Sequence, residues 1–280
     1  MKKIVGSLAL VAALLLCVQS ALAQNYKGTP KPTIQDYGPF ANKKAVIAHT
    51  AKQAATCGDP AAACLFYGGD FEDNPVGPTL ANGVANEDTL GVAGSPYGAA
   101  IWVPFTVPKG QTWMVSGLFG NNFSTYGVLD QAPNQPTSAA YWAIQEGIEP
   151  GIAGTIVASG TSAATATPTG GSAFELNEYT IEVQGLSVTL SAGTYWLAVV
   201  PLCTNTGDPY CDGVFFLADT EYINTTPKNA YGPAEPLYSS YFDAAYFGYS
   251  YAPTNGPLGG AGGIGGDAFS AGVLGKAKGK

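Results

Sequence analysis

The stretch Ala99-Ala100-Ile101-Trp102-Val103-Pro104-Phe105-Thr106-Val107-Pro108-Lys109-Gly110-Gln111-Thr112-Trp113-Met114-Val115-Ser116-Gly117-Leu118-Phe119 decides the fold class. Two runs rich in aromatic and β-branched residues flank Val107-Pro108-Lys109-Gly110. Proline at the second position of that tetrad and glycine at the fourth suit a type I turn. The pattern predicts strands over Ala99–Val107 and Gln111–Phe119 joined by a tight turn. Working outward, the same texture recurs at Ala140–Glu146, Thr155–Ser159, Glu178–Val183, Leu186–Leu190, Thr194–Val200, Val214–Ala218, Tyr246–Tyr251 and Asp267–Leu274. Ser191-Ala192-Gly193 punctuates the chain before Tyr195-Trp196-Leu197 in the same way. Some ten short strands separated by Gly, Pro, Asn and Asp predict an all-β fold, a two-sheet antiparallel β-sandwich of jelly-roll type.

Two segments depart from this texture. Residues 41–55 are rich in Ala and Lys and predict one short N-terminal helix, with Ala45, Ile47, Ala48 and Ala51 as a weak apolar face. Residues 160–173 (GTSAATATPTGGSA) read as a low-complexity loop of small residues within the sandwich.

The beginning of the chain reads as a secretory signal. Lys2 and Lys3 precede an apolar run from Ile4 to Leu16, and Ala21-Leu22-Ala23 is a small-x-small cleavage site. The run is shorter than the roughly 20 residues of a spanning helix, which weighs against a retained anchor. Leu16 before Cys17 is bulky for lipoprotein processing. The expected organisation is a signal over 1–23, an extended leader with the helix over 24–64, the sandwich over 65–275 and a basic tail over 276–280. Export to the extracellular space or periplasm follows, with no membrane-spanning segment in the mature chain.

Composition narrows the partners. Only 11% of residues are charged, and 37 are glycine, which suits strands and turns. All cations are lysines. Once Lys2 and Lys3 leave with the signal, ten lysines face 20 acidic residues, a formal charge of −10. Phosphate backbones are bound by clusters of positive charge, so nucleic acid is not the expected partner. Cys57, Cys64, Cys203 and Cys211 remain after cleavage, an even number in an oxidising compartment. Of the three pairings, Cys57–Cys64 and Cys203–Cys211 each close a short loop. The six- and seven-residue gaps are too long for zinc knuckles.

Gly68-Gly69-Asp70-Phe71, the strand–turn–strand at 100–113, Gly117-Leu118-Phe119-Gly120-Asn121-Asn122, Tyr141-Trp142-Ala143-Ile144, Leu190-Ser191-Ala192-Gly193-Thr194-Tyr195-Trp196-Leu197 and Asp267-Ala268-Phe269-Ser270-Ala271-Gly272-Val273 follow one another in order. Over roughly Leu65 to Gly275 the chain resembles secreted bacterial β-sandwich domains of the kind found in PEP-CTERM-associated exported proteins. The resemblance implies an exported jelly-roll-like module. It carries no catalytic residues across, and the sorting tail is absent.

Three sets of residues carry candidate chemistry. Asp70, Glu72, Asp73, Asn74, Glu87 and Asp88, with Asn82 and Asn86 among them, form an acidic opening whose oxygens suit calcium; the spacing matches no EF-hand, and a solvated acidic loop is the simpler reading. Tyr238, Tyr241, Tyr246, Tyr249 and Tyr251 belong to a segment dense in aromatic rings, which suits stacking on a polysaccharide or contact with a cell-surface protein. Strand alternation places Tyr249 and Tyr251 on one side, outward as a platform or inward as core. Catalysis by a histidine-based triad would depend on His49 alone, and no Gly-x-Ser-x-Gly elbow is present. A two-carboxylate glycoside hydrolase or lyase needs no histidine; Glu146 and Glu149, or Glu175, Glu178 and Glu182, would supply it, with Glu178 and Glu182 on one strand face. Asn122-Phe123-Ser124 and Asn224-Thr225-Thr226 match the glycosylation pattern. The expected function is extracellular binding or a structural surface role without catalysis, with the hydrolase as alternative.

Overall fold

The structure, a computed structural model, describes residues 57, 63–71, 83–88, 95–124, 137–173, 175–202, 215–220, 231–233, 240–254 and 268–279. The signal over 1–23, the helix over 41–55, His49, Glu72, Asp73, Asn74, Asn82, Cys203, Cys211, Asn224 and Tyr238 lie outside the described residues. The strands are β1 (Cys64–Tyr67), β2 (Gly83–Ala85), β3 (Ala100–Val107), β4 (Gln111–Ser124), β5 (Ala139–Glu146), β6 (Thr155–Ala173), β7 (Leu176–Leu190), β8 (Gly193–Pro201), β9 (Phe215–Ala218), β10 (Tyr241–Ala244), β11 (Tyr249–Pro253) and β12 (Ala271–Gly279). A 3-10 turn, Ala245–Phe247, is the one helical element among the described residues, and none is long and apolar enough to cross a membrane.

All ladders are antiparallel, and they join the strands into one curled sheet in the order β1-β12-β4-β7-β6-β5-β8-β3-β10-β11, with β9 beside β4 and β2 beside β9. Strand β6 makes the curl. Its first half, to Ala163, pairs with β5, and its second half, from Ala164, pairs with β7. This is the stretch expected to be a loop. Small residues allow the bend: Trp142 lies across Gly160, where a Cβ would come within 3.3 Å of the indole, and its Nε1 donates to Ser162 Oγ at 3.0 Å.

The turn after Val107 forms one residue later than expected. Gln111 N donates to Pro108 O at 3.0 Å, so Gly110 (φ 82°) is the third residue, the position where a type II turn requires a positive φ. The strands it joins do not pair with each other. β3 pairs with β8 and β10, whereas β4 pairs with β12, β7 and β9. The turn at Ser191-Ala192 likewise links β7 to a strand in the other half, β8. Val107 pairs with Gly193 and Trp113 with Leu190, so the two arches run side by side.

One core lies inside the curl. It takes Ile101, Val103 and Phe105 from β3 and Leu197 and Val199 from β8, against Trp113 and Val115 from β4, Ile181 and Val183 from β7 and Val273 from β12. Two buried asparagines inside it are paired. Asn86 Nδ2 donates to Asn122 Oδ1 and to Val199 O, both at 2.9 Å, tying β4 to β8 across the core. Asn122 is thereby fully buried and closed to glycosylation.

Other differences are local. Gly185 (φ 74°) sits in a bulge that lets β7 run unbroken through the two predicted strands. Lys276 and Lys278, expected in the basic tail, belong to β12 and pair with Met114 and Thr112. Cys57 and Cys64 form a disulfide, as the spacing predicts.

Candidate functional site: an aromatic outer face

The outward positions of the β5-β8-β3-β10 half follow from register. On β5 they are Tyr141, Ala143 and Gln145. On β8 they are Val200, Ala198 and Trp196, on β3 Ala100 and Trp102, and on β10 Asp243 and Tyr241. Alternation would make such a face polar where it meets water. Here it is apolar and buried, its rings at most 9% exposed, and it forms a second hydrophobic cluster separate from the inner core. Ala143, Ala198 and Ala100 are fully buried in it. Tyr97 joins it, 5.4 Å from Tyr141 and 6.3 Å from Trp102 between ring centroids. Tyr251 lies 5.9 Å from Trp102, and Tyr241 lies 6.1 Å from Trp196. These spacings suit offset and edge contacts.

Tyr251 reaches this face through an unusual backbone. Its φ is 43°, a left-handed value that is an outlier for a bulky residue. The β10–β11 register also shifts between Phe242 and Ala244. As a result Tyr249 and Tyr251 do not share a side. Tyr249 packs on the inner core beside Phe242 at 5.6 Å, whereas Tyr251 belongs to the outer cluster. Tyr246 is exposed on the 3-10 turn and stands on edge against Phe247. Of the tyrosines singled out in the sequence, Tyr241 and Tyr251 join this face. Tyr97, Tyr141, Trp102 and Trp196 were not singled out. For Trp102, Tyr141 and Trp196 the signal is that β3, β5 and β8 are apolar at both odd and even positions; Tyr97 carries none.

The polar atoms of the face are few. Tyr97 OH donates to Asp243 Oδ2 at 2.7 Å. Burial, then the Asp243 charge, holds the Tyr97 hydroxyl far above the usual phenol range. Burial also raises the Asp243 carboxyl, against the pull of the Tyr97 hydrogen bond. Gln145 Nε2 makes a long bond of 3.4 Å to Tyr251 OH. Gln145 Oε1 and Trp102 Nε1 are buried with no hydrogen-bond partner. An acceptor and an indole donor without partners are costly in an apolar cluster.

The acidic opening is divided. Asp70 is buried and accepts from Tyr67 OH at 2.6 Å. Tyr67 OH also accepts from Asn121 Nδ2 at 3.0 Å, and Asn121 Oδ1 accepts from Thr180 Oγ1 at 2.7 Å. Glu87 is buried beside Ala99 in a β-bridge, and Asp88 is half-buried. Among the described residues no three of His, Cys, Asp and Glu gather in a set able to hold a metal.

Most of the carboxylates considered for hydrolysis lie in solvent. Glu146, Glu149 and Glu175 are exposed, and Glu182 is half-buried and bonded to Gln184. Glu178 and Glu182 pair with Phe123 and Phe119 and so share a face, but four residues of strand separate them by ~13 Å, beyond the ~5 to 9.5 Å of a hydrolytic pair. Glu178 alone is buried and shifted, and its surroundings are of another kind.

No protein-family model matches the chain, and no curated protein matches it significantly.

Proposed function

We propose that the chain is an exported, non-catalytic binding module whose aromatic outer face holds a polysaccharide. The observation that carries this reading is a second Tyr/Trp cluster, on the outward side of β5, β8, β3 and β10, that holds two buried polar atoms, Gln145 Oε1 and Trp102 Nε1, with no hydrogen-bond partner; its rings are at most 9% exposed, so a sugar must open the cluster to reach them. Sugars present apolar ring faces edged by hydroxyls, the chemistry those groups lack. The leader sequence, the Cys57–Cys64 disulfide and the resemblance to secreted bacterial sandwich domains support export. In this reading the two halves of the curled sheet act as the layers of a sandwich around the inner core, and the arches at Pro108–Gln111 and Ser191-Ala192 join them.

Depletion of the full chain from solution by insoluble polysaccharides tests the proposal. The chain should be retained by at least one polysaccharide. Trp196→Ala and Tyr251→Ala should each weaken retention about tenfold or more, as truncation of a central aromatic anchor does. Met114→Ala, exposed on β4 in the other half, should leave it unchanged. Retention by none of the polysaccharides, or equal retention of the folded Trp196 and Tyr251 variants, would overturn the reading.

A further inference from the structure

Trp102 is fully buried, and the rings it meets are Tyr97 and Tyr251. Of the described rings in the cluster, Tyr97 alone stands outside the strands, on the segment before β3. Tyr251 stands on β11, which among the described strands pairs only with β10. Both residues are tied to one carboxylate. Tyr97 OH donates to Asp243 Oδ2 at 2.7 Å, and the Tyr251 N–H donates to the same carboxyl group. The register accounts for the second bond. Phe242 pairs with Ala252 and Ala244 with Tyr249, so Ser250 and Tyr251 together oppose Asp243 in a bulge.

Tyr251 takes up that bulge at φ 43°, and its carbonyl oxygen accepts from Gly151 N at 3.0 Å. A left-handed tyrosine persists only where its surroundings hold it. The holders here are Asp243 and the Glu149–Ile152 turn. The closed cluster also carries unmet bonds. Trp102 Nε1 and Gln145 Oε1 have no partner, and Gln145 Nε2 reaches Tyr251 OH only at 3.4 Å. Strain at Tyr251 and two unpaired polar atoms favour opening. The two bonds to Asp243 oppose it. Asp243 is half-buried, so water can solvate its carboxylate once those bonds break.

We propose that Asp243 is a positioning residue, a latch whose two bonds keep Tyr97 and Tyr251 against Trp102 and so set how readily the face opens to its ligand. The latch rests on the reading of this face as a polysaccharide site. The ligand binds the open form, so its apparent affinity scales with the fraction of molecules that are open. Weakening the latch raises that fraction and strengthens binding, the opposite of removing a ring that the ligand contacts.

Hydrogen exchange at the indole N–H groups of the full chain, without ligand, tests the latch. Tyr97→Phe keeps the ring and removes the hydroxyl, whereas Asp243→Ala removes both bonds. Each should speed exchange at Trp102 Nε1 about tenfold or more relative to Trp113 in the inner core, the shift expected from losing a hydrogen bond to a charged group. Tyr97→Phe serves alone should Asp243→Ala fail to fold. Unchanged exchange at Trp102, or equal speeding at Trp102 and Trp113, which reports lost global stability, would overturn the latch whether or not a polysaccharide is retained. In the depletion assay Tyr97→Phe should be retained more strongly than the parent. Faster Trp102 exchange with retention no stronger than the parent's would break the link between latch and binding. Faster exchange with neither chain retained by any polysaccharide would support the latch and overturn the polysaccharide reading.

Discussion

Phe105→Ala is expected to lower the free energy of unfolding by about 3–5 kcal/mol, the usual cost of emptying a phenylalanine site that cannot collapse. Phe105 is fully buried, with ring centroids 5.9 Å from Phe66, 6.0 Å from Trp113 and 5.8 Å from Tyr195. Those neighbours come from β1, β4 and β8. Only Tyr195 stands on a strand paired with β3. Phe66 and Trp113 meet Phe105 because the sheet curls and brings its two halves face to face. The loss therefore reports closure of the core and not merely the ladder. Urea denaturation gives the magnitude. A double-mutant cycle with Trp113→Ala should show a coupling of about 0.5–1.5 kcal/mol between the two stacked rings.

Stability should also fall as pH rises from about 4.5 to 7. Burial raises the Glu178 carboxyl from its ordinary 4.5 to about 7; the Thr169 hydrogen bond opposes the shift and the Asp70 charge adds to it. A folded-state value above the unfolded one means that the folded protein holds the proton more tightly. The stabilisation is complete below about 4.5 and is lost as pH climbs through about 7. At 1.36 kcal/mol per tenfold change in proton affinity the gap is worth roughly 3 kcal/mol. Tyr67 and Asp70 are the other titratable groups of this cluster, and the Tyr67 hydroxyl is pushed far above its ordinary range, so it stays neutral throughout. Asp243 is raised as well and acts in the same direction. Urea midpoints measured across this range should drop for the parent chain and flatten for Glu178→Gln. A parent whose stability rises over that interval would show that Glu178 is ionised in the fold at low pH.

The strands were largely legible in the sequence because their signals are local. Alternation and turn residues located β3, β4, β5, β8 and β9 within a few residues. Partnership was not legible. Val107-Pro108-Lys109-Gly110 looks the same whether it closes a hairpin or an arch, and only the inward faces of β3 and β4 decide. The stretch 160–173 has the composition of a loop, yet its small side chains are what let β6 pass beneath Trp142 and turn. The aromatic face was half visible. Tyr241 and Tyr251 stood out by density, whereas Tyr249 left the face because of a positive φ at Tyr251 that no residue type announces. Glu178 was read as one of several strand carboxylates. Its special setting depends on a three-residue bulge in the partner strand, which exists only once the register is set.

The binding account is tested most directly at the indole protons. The chain has four tryptophans. Trp113 Nε1 donates to Gln111 Oε1 at 3.0 Å and Trp142 Nε1 to Ser162 Oγ at 3.0 Å, whereas Trp102 Nε1 has no partner. A ¹⁵N-HSQC titration of the full chain with a soluble oligosaccharide of the retained polysaccharide should move the Trp102 and Trp196 indole signals and leave Trp113 in place. Saturable binding that shifts other resonances while Trp102 and Trp196 stay fixed would contradict the assignment of this face.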